Sequence, residues 1–394
     1  MFKKRRLNRV FIVSACRTPI GKTAGSLSNI SDVKLMALTL SEAIKRLDGK
    51  NHRYDGVYIG SCFPHENYNL ARKSLLEAGM PVLVPGATLN RTCCSSMEAL
   101  IQGARQIMTG DGEVVIVGGV ENMSRSPHVM KNAIRNLRTR TSVGLPAFNE
   151  IGDNLMDEVG LCAEISAREN NISRKSQDEA AFQSYQNAMR AKRKGYFDNE
   201  IFPVKLDSTS PNILLDHDEN IPDDITMDML SNEEPIFIRD GTITKLNATS
   251  INDGASAMIL MSEKMVDELG LNPLVEYLDS ETVGVHYKDF SKAPAYAIDR
   301  LLSKNNLSID DIDLFECNEA YAAQFLLCRE MIGWNENKVN VNGGSIALGH
   351  PLGCTGLRIC TTLIYSMLRL NANLGLASMC AGGGMGQSLL FRNI

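Results

Sequence analysis

Two thiols, one imidazole and one amide carry the chemistry that this chain could perform. Cys93 and Cys94 lie in Leu89-Asn90-Arg91-Thr92-Cys93-Cys94-Ser95-Ser96-Met97, between a short strand-like run and a segment of helical periodicity. A thiol at a helix N-terminus faces the positive end of the dipole and unpaired N–H groups, which lower its pKa and can hold a developing oxyanion. Taken alone, the segment reads equally well as a helix cap with buried thiols. His350 sits in Asn342-Gly343-Gly344-Ser345-Ile346-Ala347-Leu348-Gly349-His350-Pro351, a glycine-dense turn just before a helix. It is no dinucleotide fingerprint, since no strand leads into a Gly-x-Gly-x-x-Gly. A lone histidine is more often structural, but Gly349 and Pro351 fix its backbone and favour a positioned acid or base. Cys380 leaves an apolar strand into Ala381-Gly382-Gly383-Gly384, where N–H groups lie exposed beside a thiol. Asn318, in Glu316-Cys317-Asn318-Glu319-Ala320, is either a donor for a water or oxyanion, or a plain N-cap. Cysteine with histidine alone suits an amidase. Two separate thiols suit carbon–carbon chemistry on thioesters, one carrying an acyl group and the other moving a proton at carbon.

The elements that must position these groups are legible as an α/β pattern. Strands are expected at Val10–Val13, Gly56–Gly60, Val114–Val117, Ala255–Met261, Ile312–Phe315, Leu374–Met379 and Gln387–Phe391. Helices are expected at Val33–Leu47, Met97–Met108, Ser176–Lys194, Ala320–Met331 and around Cys360–Leu368. Continuous apolar runs such as Val114–Val117 suit strands covered on both faces, as in a parallel sheet. Between about Glu121 and Lys245 polar residues and turn formers dominate, which marks a loop-rich excursion. Its basic cluster, Lys131, Arg135, Arg138 and Arg140, is either a solvated face or a patch for an anionic ligand such as a nucleotide phosphate. A shared rhythm of strand, reactive residue and helix in the two α/β portions suggests an internal duplication.

With 394 residues, 44% of them hydrophobic and 22% charged, the chain can bury large cores. Forty-one Lys and Arg against 46 Asp and Glu give a net charge of −5, which argues against nucleic acid as partner. No apolar run is long enough to span a bilayer, and the basic start before Val10 leads into too short a run for a signal peptide. Ten cysteines in this length are too dilute for a disulfide scaffold, and none form Cys-x-x-Cys, so no metal site is expected. Cys328 and Cys360 read as core residues; a chain of free thiols points to a reducing, cytoplasmic setting.

Together these segments resemble the thiolases, the acyl-CoA:acetyl-CoA acyltransferases, nearly end to end. The resemblance is carried by Arg17-Thr18-Pro19-Ile20-Gly21-Lys22, Asn90 to Leu100, Gly118-Gly119-Val120-Glu121-Asn122-Met123-Ser124, Asn252-Asp253-Gly254-Ala255, Asn318-Glu319-Ala320, Gly343 to Gly356 and Cys380 to Gly386. It implies duplicated α/β halves in five layers, α-β-α-β-α, with an inserted loop domain. The N-terminal half would comprise 1–122 and 245–271, the loop domain for CoA binding and oligomer contacts 123–244, and the C-terminal half 272–394. It also implies roles: Cys93 as nucleophile, His350 as its base, Asn318 holding a water, Cys380 as second acid/base, and the N–H groups of Cys93 and Gly382 as an oxyanion hole. His350 and the Asn318-held water would form a second such hole. Coenzyme A would be a co-substrate, with no bound cofactor, and the assembly a homodimer or homotetramer, open to a complex with a β-oxidation multienzyme subunit.

Departures fall on the CoA side. Pro222 follows Asp218-Glu219-Asn220-Ile221 where the family commonly has arginine, and Lys245-Leu246 replaces Ala-Gly before Asn247-Ala248-Thr249. Cys162 takes the threonine place in Gly160-Leu161-Cys162-Ala163-Glu164. Thr249, Lys245, Arg135 and Arg138 are the expected CoA contacts. The nucleophile segment resembles the bacterial 3-ketoacyl-CoA thiolases, whereas the long basic stretch after Pro127 is nearer the tetrameric acetoacetyl-CoA enzymes. Thiolysis of 3-ketoacyl-CoA is the expected reaction, and condensation of two acetyl-CoA its alternative. A ketoacyl-carrier-protein synthase is disfavoured by Cys380, and a non-catalytic acyl-CoA binder by the four filled positions.

Overall fold

The computed structural model describes residues 7–47, 53–64, 69–126, 128–129, 145–146, 159–206 and 214–394. Nine strands form its backbone: β1 (Val10–Arg17), β2 (Gly56–Gly60), β3 (Gly86–Leu89), β4 (Val114–Asn122), β5 (Asn252–Ser262), β6 (Val275–Gly284), β7 (Leu314–Cys317), β8 (Leu374–Ala381) and β9 (Met385–Arg392). They lie in the order β7-β8-β9-β6-β1-β5-β4-β2-β3, and the two-residue strand Gly21–Lys22 beside β5 makes ten.

The order repeats a pattern. β2 and β4 are parallel, and β4–β5 and β5–β1 antiparallel. Likewise β7 and β8 are parallel, and β8–β9 and β9–β6 antiparallel. The two halves meet where β1 pairs antiparallel with β6 over Val10–Ile12. The apolar runs suggested a parallel sheet; most pairs are instead antiparallel. Burial on both faces comes from helices covering both sides. Val10 and Ile12 of β1 face one core, and Phe11 and Val13 the other.

The first core holds the two helices that matter for the site, α2 (Ser95–Met108) and α4 (Leu352–Leu370). Met97, Leu100 and Ala104 pack with Leu357, Cys360 and Leu363. The second core is closed by α1 (Asp32–Lys45) through Leu35, Met36 and Leu40, and α3 (Ala293–Lys304) covers the C-terminal half. Some observed ends pass those expected, β4 running on to Asn122 and β5 spanning Asn252–Ser262, and others fall short, α1 stopping at Lys45 and β7 starting only at Leu314. Cys328 and Cys360 are buried helix residues as expected.

Arg17 and Asp218, both singled out by motif, have a structural place. The buried Arg17 guanidinium meets Glu200 and Asp218, each at 2.7 Å, and ties β1 to the excursion. Replacing one partner would strand an uncompensated buried charge, which is why all three residues belong together.

Candidate active site

The nucleophile segment forms a tight turn between β3 and α2. Thr92 has φ of 48°, a left-handed conformation costly for a β-branched residue, and this turn lifts Cys93 out of the helix line. Asn90 clamps the turn, its amide nitrogen donating to the Cys62 carbonyl and its oxygen accepting from the Thr92 N–H. Behind it, Glu121 at the end of β4 accepts from the N–H groups of Cys62, Phe63 and Gly353, at 2.8, 3.0 and 2.9 Å. One buried carboxylate thus ties the end of β4 to the loop after β2 and to the start of the helix at Leu352.

Cys93, His350 and Cys380 converge on a cavity of about 500 Å³, lined also by Cys62, Phe63, Met123, Phe290, Tyr321 and Leu352. Gly382 and Thr249 are in its wall as well. Cys93 is half-buried, whereas Cys380, at the end of β8, is buried. The N–H groups of Cys93 and Gly382 both point at the Cys93 sulfur, the arrangement needed to receive an oxyanion there. The glycine turn achieves this because Gly383 and Gly384 take φ of 84° and 81°, which L side chains rarely adopt.

The helix-dipole expectation for Cys93 requires correction. Burial outweighs the two N–H groups and pushes the thiol up to about 11. Cys380 is likewise pushed well up by burial, with the Cys93 charge adding to the effect. His350 goes the other way: burial, reinforced by the Arg358 cation, lowers it to about 3. At neutral pH the resting site therefore holds two thiols and a neutral imidazole rather than an ion pair. A neutral ring is what a general base requires.

Asn318 lies fully buried and outside the cavity lining. It is not an N-cap, since the following helix, Ala322–Ile332, starts after Tyr321. Arg358 Nη2 donates to Ser345 Oγ at 2.7 Å, and Ser345 donates to Asn318 Oδ1 at 2.6 Å. The amide is thereby oriented, and Asn318 Nδ2 is left without a partner among the described residues. A buried, unpaired N–H is a site for a water or an oxyanion.

The expected CoA contacts divide. Thr249 reaches the cavity and donates to the Ser345 carbonyl at 3.2 Å. Lys245 does not line the cavity; it pairs with Glu233 at 3.0 Å on the surface. Arg135 and Arg138, with Lys131 and Arg140, lie outside the described residues. Cys162 and Cys317 are buried, Cys162 packing with Cys380 and Phe290, and Cys94 donates to the Cys380 carbonyl at 3.7 Å.

Sequence reasoning missed Cys62, Tyr321, Ser345 and Thr355. Only a spacing signal existed for the last: it lies one helical turn beyond Pro351. The others enter through tertiary contact and left no local mark.

Two family models match this chain end to end. The thiolase N-terminal domain matches residues 10–264 and the thiolase C-terminal domain residues 271–393. An acetyl-CoA acetyltransferase of Cupriavidus necator is 40% identical over 387 residues, covering 96% of this chain and 98% of that protein. The crystal structure of the Bacillus anthracis acetyl-CoA acetyltransferase superposes with a TM-score of 0.95 at 37% identity, covering 99% of this chain and 100% of that one. Human mitochondrial 3-ketoacyl-CoA thiolase in complex with CoA superposes with a TM-score of 0.91 at 32% identity, covering 98% of each chain. Duplicated halves, a matching pair of domain models and relatives spanning the full length agree: the chain belongs to the thiolase family of acyltransferases.

Proposed function

We propose that this enzyme cleaves 3-ketoacyl-CoA thiolytically through an acyl group on Cys93. The observation that carries the reading is the convergence of Cys93, His350 and Cys380 on one cavity, with the Cys93 and Gly382 N–H groups aimed at the Cys93 sulfur. His350 takes the thiol proton, and the thiolate attacks the keto carbon. The Cys93 and Gly382 N–H groups hold the resulting oxyanion. The carbon–carbon bond breaks, and its electron pair passes to the acetyl-CoA enolate. The enolate oxygen is held by His350 and by a water on Asn318 Nδ2. Cys380, raised by burial and so protonated at rest, gives its proton to the enolate carbon. Cys380, now a thiolate, takes the proton of the incoming CoA thiol; the CoA thiolate displaces the acyl group from Cys93, whose departing sulfur regains a proton from His350. Two half-reactions at one thiol make the kinetics ping-pong.

The apolar side chains Phe63, Met123, Phe290 and Leu352 suit an acyl tail. Condensation of two acetyl-CoA is the second reading, favoured by the acetyl-CoA acetyltransferase relative. Every step above reverses, so the direction follows substrate supply. On the CoA side Thr249 is retained as a contact, with Arg135 and Arg138 for the phosphates. A homo-oligomer in a reducing, cytoplasmic setting belongs to the same reading.

Intact mass spectrometry after acetyl-CoA treatment tests it. Wild type and Cys380→Ala should gain one acetyl group, and Cys93→Ala none. An unmodified wild type removes the proposal. A panel of 3-ketoacyl-CoAs then separates the readings: turnover confined to acetoacetyl-CoA favours condensation.

A further inference from the structure

Thr355, in the first turn of α4, touches the catalytic imidazole from behind. Its Oγ1 lies 2.7 Å from His350 Nδ1 and 2.8 Å from the Pro351 carbonyl oxygen. Two oxygens this close need a hydrogen between them, and a carbonyl has none to give. The Thr355 hydroxyl hydrogen is therefore committed to Pro351. Toward His350 the same oxygen offers only a lone pair, so Nδ1 must carry a hydrogen and donate it. A neutral imidazole has one N–H, which leaves Nε2 bare. The ring is neutral because burial and Arg358 hold it at about 3. Its backbone is fixed as well, the His350 N–H donating to Asn252 Oδ1 at 2.9 Å.

We propose that Thr355 is a positioning residue that sets the tautomer of His350, so that Nε2 is presented as proton acceptor to the cavity holding Cys93. This rests on the thiolase reading for its kinetic consequence, but not for the tautomer, which belongs to the resting protein. With the hydrogen on Nε2 instead, the ring could not accept the Cys93 proton, and the thiol, pushed up by burial, would stay protonated. The side chain must be a hydroxyl anchored to a helix carbonyl. Serine meets that requirement; valine matches the shape without it.

Nitrogen-15 NMR of histidine-labelled protein reads the tautomer directly, with His350→Gln assigning the signal among the six histidines. Wild type and Thr355→Ser should show a protonated Nδ1 and an unprotonated Nε2 at neutral pH. Thr355→Val should lose that bias. Its kcat for thiolysis should fall roughly 10- to 100-fold, with the KM for acyl-CoA changed less than about twofold, and Thr355→Ser should keep most of the rate. A wild-type signal with the hydrogen on Nε2 overturns the proposal, as does a Thr355→Val enzyme with wild-type kcat. A wild type with the expected tautomer that forms no acetyl-enzyme refutes the thiolase reading and leaves the tautomer assignment standing.

Discussion

Cys93, the proposed nucleophile, shows how such a thiol can be placed without being pre-ionised. Two N–H groups stabilise its thiolate, yet withdrawal from water costs more, and the thiol is pushed up to about 11. The N–H groups are then available for the oxyanion rather than spent on a resting thiolate. Alkylation by iodoacetamide should accordingly label Cys93 first, since it is the part-accessible thiol among nine buried ones. The rate should rise about tenfold per pH unit across the neutral range, where thiolate is the minor form. A rate already constant at pH 7 would contradict the raised thiol. A second residue-scale case is Glu316, whose carboxyl burial pushes up to about 8 although the Arg358 guanidinium lies 3.9 Å away. Both its oxygens lack hydrogen-bond partners among the described residues, so the neutral form is favoured. Because the folded-state value lies above the ordinary 4.5, its contribution to stability is complete below that pH and is lost as pH rises toward 8. Urea denaturation across that window should show stability falling with pH in wild type and a flatter profile in Glu316→Gln. Equal slopes would mean that Glu316 is ionised throughout.

At the scale of elements, the site depends on how closely two helix N-termini approach β4. A Cβ on Gly119 would lie 2.3 Å from the Ser96 Cβ and 2.5 Å from the Gly353 carbonyl oxygen. A Cβ on Gly356 would lie 2.6 Å from the Met97 nitrogen. The helix that follows Cys93 and the helix that follows His350 therefore touch through glycines. This close approach brings the imidazole and thiol to one cavity. Gly119→Ala should force the two starts apart, lowering stability by about 1–3 kcal/mol and kcat with it. Urea denaturation and steady-state rates check both. A variant with unchanged stability and rate would show that the contact is slack.

At the scale of the molecule, the two halves share one core. Val10 and Ile12 of β1, α2, α4 and Phe391 of β9 all contribute to it, so the proposed catalytic residues of both halves are fixed to a common body. The other end of the sheet is open: β3 pairs with β2 alone among the described residues. An unpaired edge is a template for association. It follows a turn where Val82 is 69% and Leu83 91% exposed. Such side chains beside a free edge suit the homo-oligomer proposed above. Light scattering should find a homo-oligomer, and Leu83→Asp should raise the monomer fraction. A wild type that is monomeric at micromolar concentration would count against this edge.

Much of this was already written along the chain. Periodicity marks β1, β2, α1 and α2 because one buried face must recur every two or 3.6 residues. Cys93, His350, Cys380 and Asn318 stood out as candidates because glycines, prolines and strand ends around them are local features that survive in one dimension. Pairing sense was not legible: apolar runs record burial, not the direction of the neighbouring strand. Nor was the ion pair of Lys245 with Glu233. The sequence by itself determined which groups could react and which segments had to be strands or helices, since those depend on residue type and spacing. Only the tertiary structure decided the rest. Burial raises the thiols and lowers the imidazole, and a hydroxyl from the next helical turn sets the tautomer. Desolvation and hydrogen-bond direction arise from neighbours distant in sequence, which no local pattern records.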